Sequence, residues 1–481
     1  MSVQLREVEF RTRWMKTRFP FRYGIAAMVD LPHVFVRVEG EMDGERIEGL
    51  ASEGLAPKWF TKNAETRFEE DLPELVGVIE KAAELGKGIE GETLFDWWWQ
   101  LYHEQSAWGE EEGLPPLLIH LGTSLLERAM MDAVCRGLGS SFAEAVERNA
   151  LGVELGRVHP ELVGTEPSDW LGGALGGIVA RHTVGLSDPL ISGEIGEEDR
   201  AGDGMPQALD EVIEVYGVTH FKVKLCGQLE KDVPRMKALA RMFSELVPDF
   251  QMTLDGNEQY ATVADFRAQW EEYLCDDELR EFLSDEHLIF VEQPIHRDHA
   301  LKDEVGEELG AWEGAPPMII DESDATLTTA RRALELGYRG TSHKNCKGVF
   351  KGMANRCLIE KKRREDAEAG PWLMSGEDLA NVGPVALLND LAVMATLQIE
   401  DVERNGHHYF AGLSVFPEEV QRAVCRQHGT LYQWDEEEGF ARLQVKGGRI
   451  DLGNLNEIGF GCRLALKEEL LEQLGEMGVP N

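Results

Sequence analysis

The stretch that decides the fold runs from residue 288 to residue 323 and reads LIFVEQPIHRDHALKDEVGEELGAWEGAPPMIIDES. It contains two short apolar runs, Leu288–Val291 and Pro317–Ile320, and each is followed at once by acidic side chains. A charged segment with helical spacing separates the two runs, which indicates a strand, a helix and a second strand. Such a unit lays two parallel strands side by side with a helix across them.

The same alternation recurs from about residue 178 onward. The apolar runs that we expect to be strands are 177–185, 220–225, 250–254, 288–291, 317–320, 340–343, 372–374 and 395–399. Eight strands separated by helices predict an α/β fold of the (β/α)8, TIM-barrel type. A doubly wound open sheet is the alternative, but no Gly-x-Gly-x-x-Gly motif follows a strand to support it.

The chain divides into three parts around this barrel. Residues 1–175 have the pattern of an α+β unit, with a strand over 31–38 and a long helix through 122–135. Residues 176–404 form the predicted barrel. Residues 405–481 continue past the eighth strand and therefore must pack elsewhere on the molecule.

Composition excludes several classes of protein. The 481 residues contain 88 Asp and Glu against 48 Lys and Arg, a net charge of −40, which repels nucleic acid and anionic lipid. The basic run 361–364 is followed at once by acidic residues and is interpreted as a solvated helix end. No apolar window is long enough to span a membrane, and the first residues lack a secretory pattern. Seven scattered cysteines suit a reduced, cytoplasmic protein.

Polar side chains end five consecutive predicted strands. They are Lys222 and Lys224, Asp255, Glu292, Asp321, and Lys344. The steps from Lys224 through the three carboxylates to Lys344 are 31, 37, 29 and 23 residues, close to the roughly 25 to 35 residues of one βα unit. Because the carboxyl ends of barrel strands meet at one face, we expect three carboxylates to converge there between two lysines.

This arrangement indicates a metal-dependent reaction. Three adjacent carboxylates repel one another, and a hard dication with all-oxygen ligands, Mg²⁺, relieves that repulsion. Mg²⁺ can also bind a substrate carboxylate, and a flanking lysine can then remove the proton on the α-carbon. The resulting enediolate is stabilised by the metal, so the interaction strengthens in the transition state.

The ordered motifs resemble the enolase superfamily, and within it the muconate lactonizing enzyme subgroup. The matching motifs are Lys222 to Lys224, Asp255 to Asn257, Glu292 to Pro294, Asp321 to Ser323 and Lys344 to Gly348. The resemblance implies that Asp255, Glu292 and Asp321 bind Mg²⁺. It also implies that Lys224 and Lys344 form an acid/base pair, with Lys222 tuning Lys224. Asn257 and Glu322 are candidates to support the metal ligands, with a turn residue and a helix N-cap as the respective alternatives.

The resemblance extends to a capping domain built from the N-terminal part and the C-terminal segment. Residues 18–24 and 51–60 look like its two specificity loops, which makes Arg22 and Tyr23 candidate substrate contacts. The extra lengths 97–116 and 192–205 have no counterpart in the family pattern. Lys347 is expected at the surface, where the next helix starts.

Differences from the motifs of related enzymes restrict the reactions that the resemblance implies. Mandelate racemase relatives and acid-sugar dehydratases use a histidine on strand seven, whereas this strand ends Met374-Ser375-Gly376-Glu377. Asp401 and Glu403 resemble the Asp-x-Asp of dipeptide epimerases in charge, and are therefore candidate substrate contacts. Racemisation or epimerisation, cycloisomerisation and syn-dehydration of the succinylbenzoate synthase type all stay open. An acid-sugar dehydratase is the alternative, followed by a non-catalytic binding protein. The expected partner is a small carboxylate, and self-association stays open.

Overall fold

A computed structural model describes residues 1–23, 26–455, 457, 459–464 and 475–476 of the chain. The strands are β1 (Val3–Tyr23), β2 (Ala26–Met42), β3 (Glu45–Gly54), β4 (Glu90–Gly91), β5 (Gly177–Val184), β6 (His220–Lys224), β7 (Gln251–Asp255), β8 (Leu288–Glu292), β9 (Met318–Ile320), β10 (Gly340–His343), β11 (Leu373–Gly376), β12 (Asp401–Glu403), β13 (Tyr432–Asp435), β14 (Phe440–Leu443), β15 (Arg449–Asp451) and β16 (Gly475–Glu476). The helices are α1 (Pro57–Thr61), α2 (Phe68–Lys87), α3 (Leu94–Glu111), α4 (Pro116–Leu138), α5 (Phe142–Glu147), α6 (Leu155–Val158), α7 (Leu209–Tyr216), α8 (Leu229–Leu246), α9 (Val263–Leu274), α10 (Asp277–Phe282), α11 (Asp303–Gly310), α12 (Thr329–Leu336), α13 (Val349–Glu365), α14 (Ala386–Thr396), α15 (Gly406–Tyr409) and α16 (Glu418–Gln427).

Strands β5 to β12 form the predicted barrel. They are parallel and pair in chain order, and the pairing of β12 with β5 closes the sheet on itself. Helices lie between successive strands, as a closed parallel sheet requires. The predicted (β/α)8 barrel with a capping domain is therefore confirmed.

The eighth strand differs from the prediction. Residues 395–399 were expected to form it, but α14 continues to Thr396 and the strand is β12, Asp401–Glu403. Helix α14 is buried along its whole length, so its apolar run carries no polar stripe to distinguish it from a buried strand. The shift places Glu403 at the end of the strand.

An antiparallel sheet from the N-terminal residues covers the barrel. Its order is β16-β1-β2-β3, with β4 paired to β1. Helix α4 packs on β3 so closely that a Cβ atom at Gly49 would lie 2.2 Å from the carbonyl oxygen of Ala129. Only glycine fits this contact. Helix α4 is longer than the predicted 122–135 and ends at Leu138, and the C-cap residue Gly139 has a φ of +63°, which suits a residue without a side chain.

The C-terminal segment touches both units. Strand β15 pairs antiparallel with Gly177–Val179 of β5, and β16 pairs with Arg11 and Thr12 of β1. The guanidinium group of Arg136 in α4 donates to the carbonyl oxygen of Cys462 at 2.5 Å. The segment thus joins the cap to the barrel. Among the described residues, no helix is long and apolar enough to cross a membrane.

Candidate active site

Residues from three neighbouring strands lie in one row at the carboxyl end of the barrel. The register pairs Lys224 of β6 with Asp255 of β7, and Asp255 with Glu292 of β8. The Lys224 ammonium group donates to Asp255 Oδ2 at 2.5 Å. All three side chains are nearly inaccessible to solvent. The row follows from parallel pairing, which aligns residues that end adjacent strands.

The ammonium group of Lys222 occupies the centre of the acidic cluster. Its Nζ lies 3.0 Å from Asp255 Oδ2 and 2.7 Å from Glu292 Oε2. It lies 2.9 Å from Glu377 Oε2 and 2.8 Å from Glu403 Oε2. Burial alone would lower the pKa of Lys222, but these four carboxylates outweigh burial and raise the pKa well above 10.5. Lys222 is therefore held as a cation.

The opposite side of the mouth carries Lys344. Its Nζ lies 2.7 Å from Asp321 Oδ2 and 2.6 Å from Glu377 Oε2. Burial opposes the charge of Lys344, yet Asp321 and Glu377 raise its pKa well above 10.5. Asp321 also accepts hydrogen bonds from the hydroxyl group of Ser342 and from the Lys347 ammonium group, the latter at 3.1 Å. Asp321 and Glu377 therefore each contact two ammonium groups.

The cluster carries an excess of negative charge. The carboxylates are Asp255, Glu292, Asp321, Glu322, Glu377 and Glu403, and the ammonium groups are Lys222, Lys224, Lys344 and Lys347. Burial and the charges of Asp255 and Glu377 raise the pKa of Glu292 well above 4.5. Burial and Asp321 raise the pKa of Glu322 to about 8. Burial and the mutual repulsion of neighbouring carboxylates therefore favour the protonated forms of Glu292 and Glu322.

The donor set fits a hard dication. Oxygen atoms of Glu292, Asp321 and Glu377 all lie within 4.8 Å of one another, near the separation of about 4.2 Å between opposite ligands of one Mg²⁺ at Mg–O distances of about 2.1 Å. Asp255, the third ligand predicted from the sequence, is outside this group among the described residues, although it shares Lys222 with Glu292. The buried Glu322 Oε2 atom has no hydrogen-bond partner within the described structure. A divalent cation would relieve the excess charge that these groups carry.

The remaining candidates fall into three groups. Asn257, Glu322 and Glu403 line the same cavity as Lys222, Lys224 and Lys344. Asp401, by contrast, pairs with the guanidinium group of Arg181 and lines a different cavity. Arg22 is exposed. The side chain of Tyr23 lies outside the described residues, as does Gly24 of the first predicted loop. Thr328 occupies the N-cap position of helix α12, without a side-chain capping hydrogen bond, so Glu322 is not the N-cap.

The first predicted specificity loop of the cap, residues 18–24, is anchored by the segment 192–205, for which the sequence suggested no role. The Nε and Nη2 atoms of Arg18 donate to the two carboxylate oxygens of Asp203, at 2.5 and 2.7 Å, and its Nη1 atom donates to the carbonyl oxygen of His408 at 2.6 Å. Farther along β1, the ring of Phe21 stacks on Tyr409 at 4.1 Å and lines the cavity. The segment 192–205 therefore holds the cap strand against the barrel.

The second predicted specificity loop of the cap, residues 51–60, is hydrogen-bonded to the loops after β7 and β8. Arg297 donates to the carbonyl oxygens of Trp59 and Phe60, each at 3.2 Å, and its guanidinium group also binds Glu258. Lys62 of the cap binds the same Glu258 carboxylate at 2.7 Å. The Trp59 ring thereby lies beside Lys344, whose Nζ atom is 5.4 Å from the ring centroid.

Two important residues were not identified from the sequence. Glu377 follows β11 directly, so the strand-end rule that identified Asp255 and Glu292 would also have found it. Lys347 was expected at the surface, which is wrong, because it is buried and donates to the carbonyl oxygen of Ser342 at 2.7 Å. A short 3₁₀ turn, Asn345–Lys347, folds its side chain back under Asp321.

Comparison with solved structures identifies the fold. A muconate lactonizing enzyme from Pseudomonas fluorescens, complexed with muconolactone, has a TM-score of 0.62 at 14% identity, over 98% of this chain and 99% of that one. A dipeptide epimerase from Enterococcus faecalis V583, complexed with Mg and the dipeptide L-Leu-L-Tyr, has a TM-score of 0.58 at 16% identity, over 95% and 99%. An N-succinyl Arg/Lys racemase from Bacillus cereus has a TM-score of 0.57 at 15% identity, over 98% of both chains. Neither protein-family models nor curated sequences match the chain. This chain shares the barrel-and-cap fold of these enzymes.

Proposed function

We propose that the protein is a Mg²⁺-dependent enzyme of the enolase superfamily that removes the proton α to a substrate carboxylate. The observation that carries this proposal is the pair of buried lysines on β6 and just after β10, both in one cavity with the acidic cluster. Lys224 is held by Asp255 and Lys344 by Asp321 and Glu377. Proton removal on one face of a carbon and return on the other needs two fixed groups on different sides of it, and lysines at the ends of β6 and β10, which lie across the barrel from each other, support such a pair.

The chain's own residues suggest distinct roles for the lysines. Lys344 is held protonated by two carboxylates, which suits a group that returns a proton or stabilises developing negative charge. Lys224 has Asp255 as its partner and would act from the other side. Lys222 is bound by four carboxylates and cannot reach a substrate without breaking those contacts, so we assign it to positioning and charge balance.

We propose that Glu292 and Asp321 hold the metal ion together with a third carboxylate. The family resemblance favours Asp255 as the third ligand, whereas the distances among oxygen atoms favour Glu377. When bound, Mg²⁺ supplies positive charge that stabilises the substrate carboxylate as it takes up electrons and lowers the pKa of nearby ammonium groups. The third ligand is a matter for substitution experiments.

Two classes of reaction suit a pair of opposed lysines. Proton removal by one and return by the other gives racemisation or epimerisation, while a base with a cationic partner supports cycloisomerisation or syn-dehydration. The solved structures with this fold are named as a lactonizing enzyme, an epimerase and a racemase, which supports both classes. An acid-sugar dehydratase is less well supported, because Glu377 stands where that activity uses a histidine. A silent binding protein would gain nothing from so many buried charges, which are costly to retain.

The test is a screen of 2-substituted carboxylic acids for exchange of the α-proton in deuterated water. We expect at least one acid to exchange its proton in the presence of Mg²⁺ and none to do so after treatment with EDTA. Proton NMR measures the loss of the α-proton signal directly, whichever product forms. No exchange with any acid at any Mg²⁺ concentration would overturn the proposed function.

A further inference from the structure

The cavity above the lysines has a charged floor and an apolar roof. The floor contains Lys222, Lys224 and Lys344 with their carboxylates, together with the polar side chains that end neighbouring strands, Asn257, Glu322 and Asn405. The roof consists of Phe21, Met28, Ala56, Trp59, Leu379 and Ala380. Each roof side chain is at least nine-tenths buried. Apart from the indole N–H group of Trp59, these side chains contain no polar hydrogen-bonding atoms.

Resting on the proposed function, we infer that the substrate is a monocarboxylic acid whose group beyond the α-carbon is uncharged and apolar, either branched aliphatic or aromatic. The carboxylate would lie on the floor, next to the proposed Mg²⁺ site, and the remaining group would contact the roof. Each methylene transferred from water to such a surface favours binding, by roughly fourfold in affinity. Roof residues come from the cap and from the loop after β11, so they enclose that group from two sides.

A second carboxylate on the substrate would find no partner in the roof. Among the described residues that line the cavity, the cations are the three floor lysines, and each is already bound to carboxylates. Arg22 of the cap is exposed and does not line the cavity. An unpaired carboxylate buried against Met28 and Leu379 would be strongly disfavoured.

A cationic group is disfavoured for a different reason. Asp378 lines the cavity, but its carboxylate binds the buried guanidinium group of Arg404 at 2.5 Å and accepts a hydrogen bond from the Ala380 amide at 2.9 Å. Glu403 likewise binds Lys222 and accepts from the Thr183 hydroxyl group at 2.5 Å. Both carboxylates are satisfied within the protein, so neither is free to pair with a substrate ammonium group. The third acidic side chain to consider, Glu322, has an unpartnered Oε2 atom in the described structure, but it directly follows Asp321 at the end of β9 on the floor and is not among the roof side chains.

The experiment compares acids that differ only in this distal group. The probes are 2-hydroxy and N-acetyl-2-amino acids that carry isobutyl, benzyl, hydroxymethyl, carboxyethyl or 4-ammoniobutyl groups. With the wild-type protein and Mg²⁺, we expect kcat/KM for α-proton exchange to be on the order of 100-fold higher for benzyl or isobutyl than for either charged group, and at least about tenfold higher than for hydroxymethyl. Fastest exchange with a charged or hydroxylated acid would overturn the inference while leaving the proposed function intact. No exchange with any acid would instead overturn the proposed function.

Variants of the roof provide a second readout. Met28→Lys introduces a cation into the roof from β2, and Leu379→Lys introduces one from the loop after β11. In each variant, the ratio of kcat/KM for the carboxyethyl acids to kcat/KM for the benzyl acids should rise at least about tenfold. The matched control is Val29→Lys, because Val29 neighbours Met28 on β2 but is 47% exposed and does not line the cavity. This control should keep the wild-type order of substrates. An unchanged order in both folded roof variants, or the same shift in Val29→Lys, would contradict the inference.

Discussion

Replacing Lys222 by methionine should destabilise the metal-free protein and make it respond more strongly to Mg²⁺. The substitution removes an ammonium group that lies within 3.0 Å of four buried carboxylates. Removing one partner of a buried ion pair costs about 3–5 kcal/mol. An unfolding entropy of about 2.1 cal/mol/K per residue gives roughly 1 kcal/mol/K for 481 residues. The melting temperature in EDTA should therefore fall by about 3–5 °C.

Added Mg²⁺ should reverse most of this loss, because a dication supplies the positive charge that the variant lacks. The assay is thermal unfolding in EDTA and over a series of Mg²⁺ concentrations. The matched control is Lys351→Met, which removes another buried ammonium group, 3.0 Å from Asp324 Oδ1. This control should lose stability without gaining a larger response to Mg²⁺. If Mg²⁺ stabilises Lys222→Met no more than it stabilises the wild type, the acidic cluster is not a metal site.

Two further predictions concern individual carboxylates. Asp255→Asn and Glu377→Gln should differ in Mg²⁺ affinity measured by calorimetry. The variant that removes the third metal ligand should bind Mg²⁺ at least about tenfold more weakly than the other variant. Equal affinities of the two variants would contradict a role of either residue as that ligand. Glu127 accepts hydrogen bonds from the amides of Val349 and Phe350, and burial raises its pKa to about 7, so it retains a proton in the folded state above the ordinary value of 4.5. The stabilisation by this proton is fully present below pH 4.5, and about 3 kcal/mol of the free energy of unfolding is lost as the pH rises to about 7. Glu127→Gln should flatten this part of the plot of unfolding free energy against pH, and an unchanged plot would contradict the assignment.

The polar residues at the strand ends were predictable because a parallel barrel brings the carboxyl ends of its strands to one face. Asp255 and Glu292 follow short apolar runs at barrel spacing, and no knowledge of the packing was needed to place them at one mouth. Glu377 obeys the same rule, but related activities use a histidine at that strand, and the sequence pattern was compared with that residue type alone. The expectation of a histidine at this strand end therefore left the glutamate there without a predicted role.

Other features depend on three-dimensional packing and could not be predicted from the sequence. The apolar run 395–399 is typical of a buried strand and of a buried helix alike, and only tertiary contacts decide between them. The sequence indicates that Lys222 and Lys224 share one face of a strand, yet not that Lys222 binds four carboxylates while Lys224 binds one. The role of the segment 192–205 likewise became apparent only from the contacts of Arg18 with Asp203.

The most direct test of the account is α-proton exchange in deuterated water by Lys224→Ala and Lys344→Ala, with each enantiomer of an acid that the wild type accepts. If the two lysines act from opposite sides, Lys224→Ala should stop exchange with one enantiomer and Lys344→Ala with the other, while a reaction that needs both lysines would lose exchange in each variant. Lys231→Ala, an exposed lysine on α8, is the control and should exchange at the wild-type rate. Full exchange with both enantiomers in either active-site variant would contradict the account.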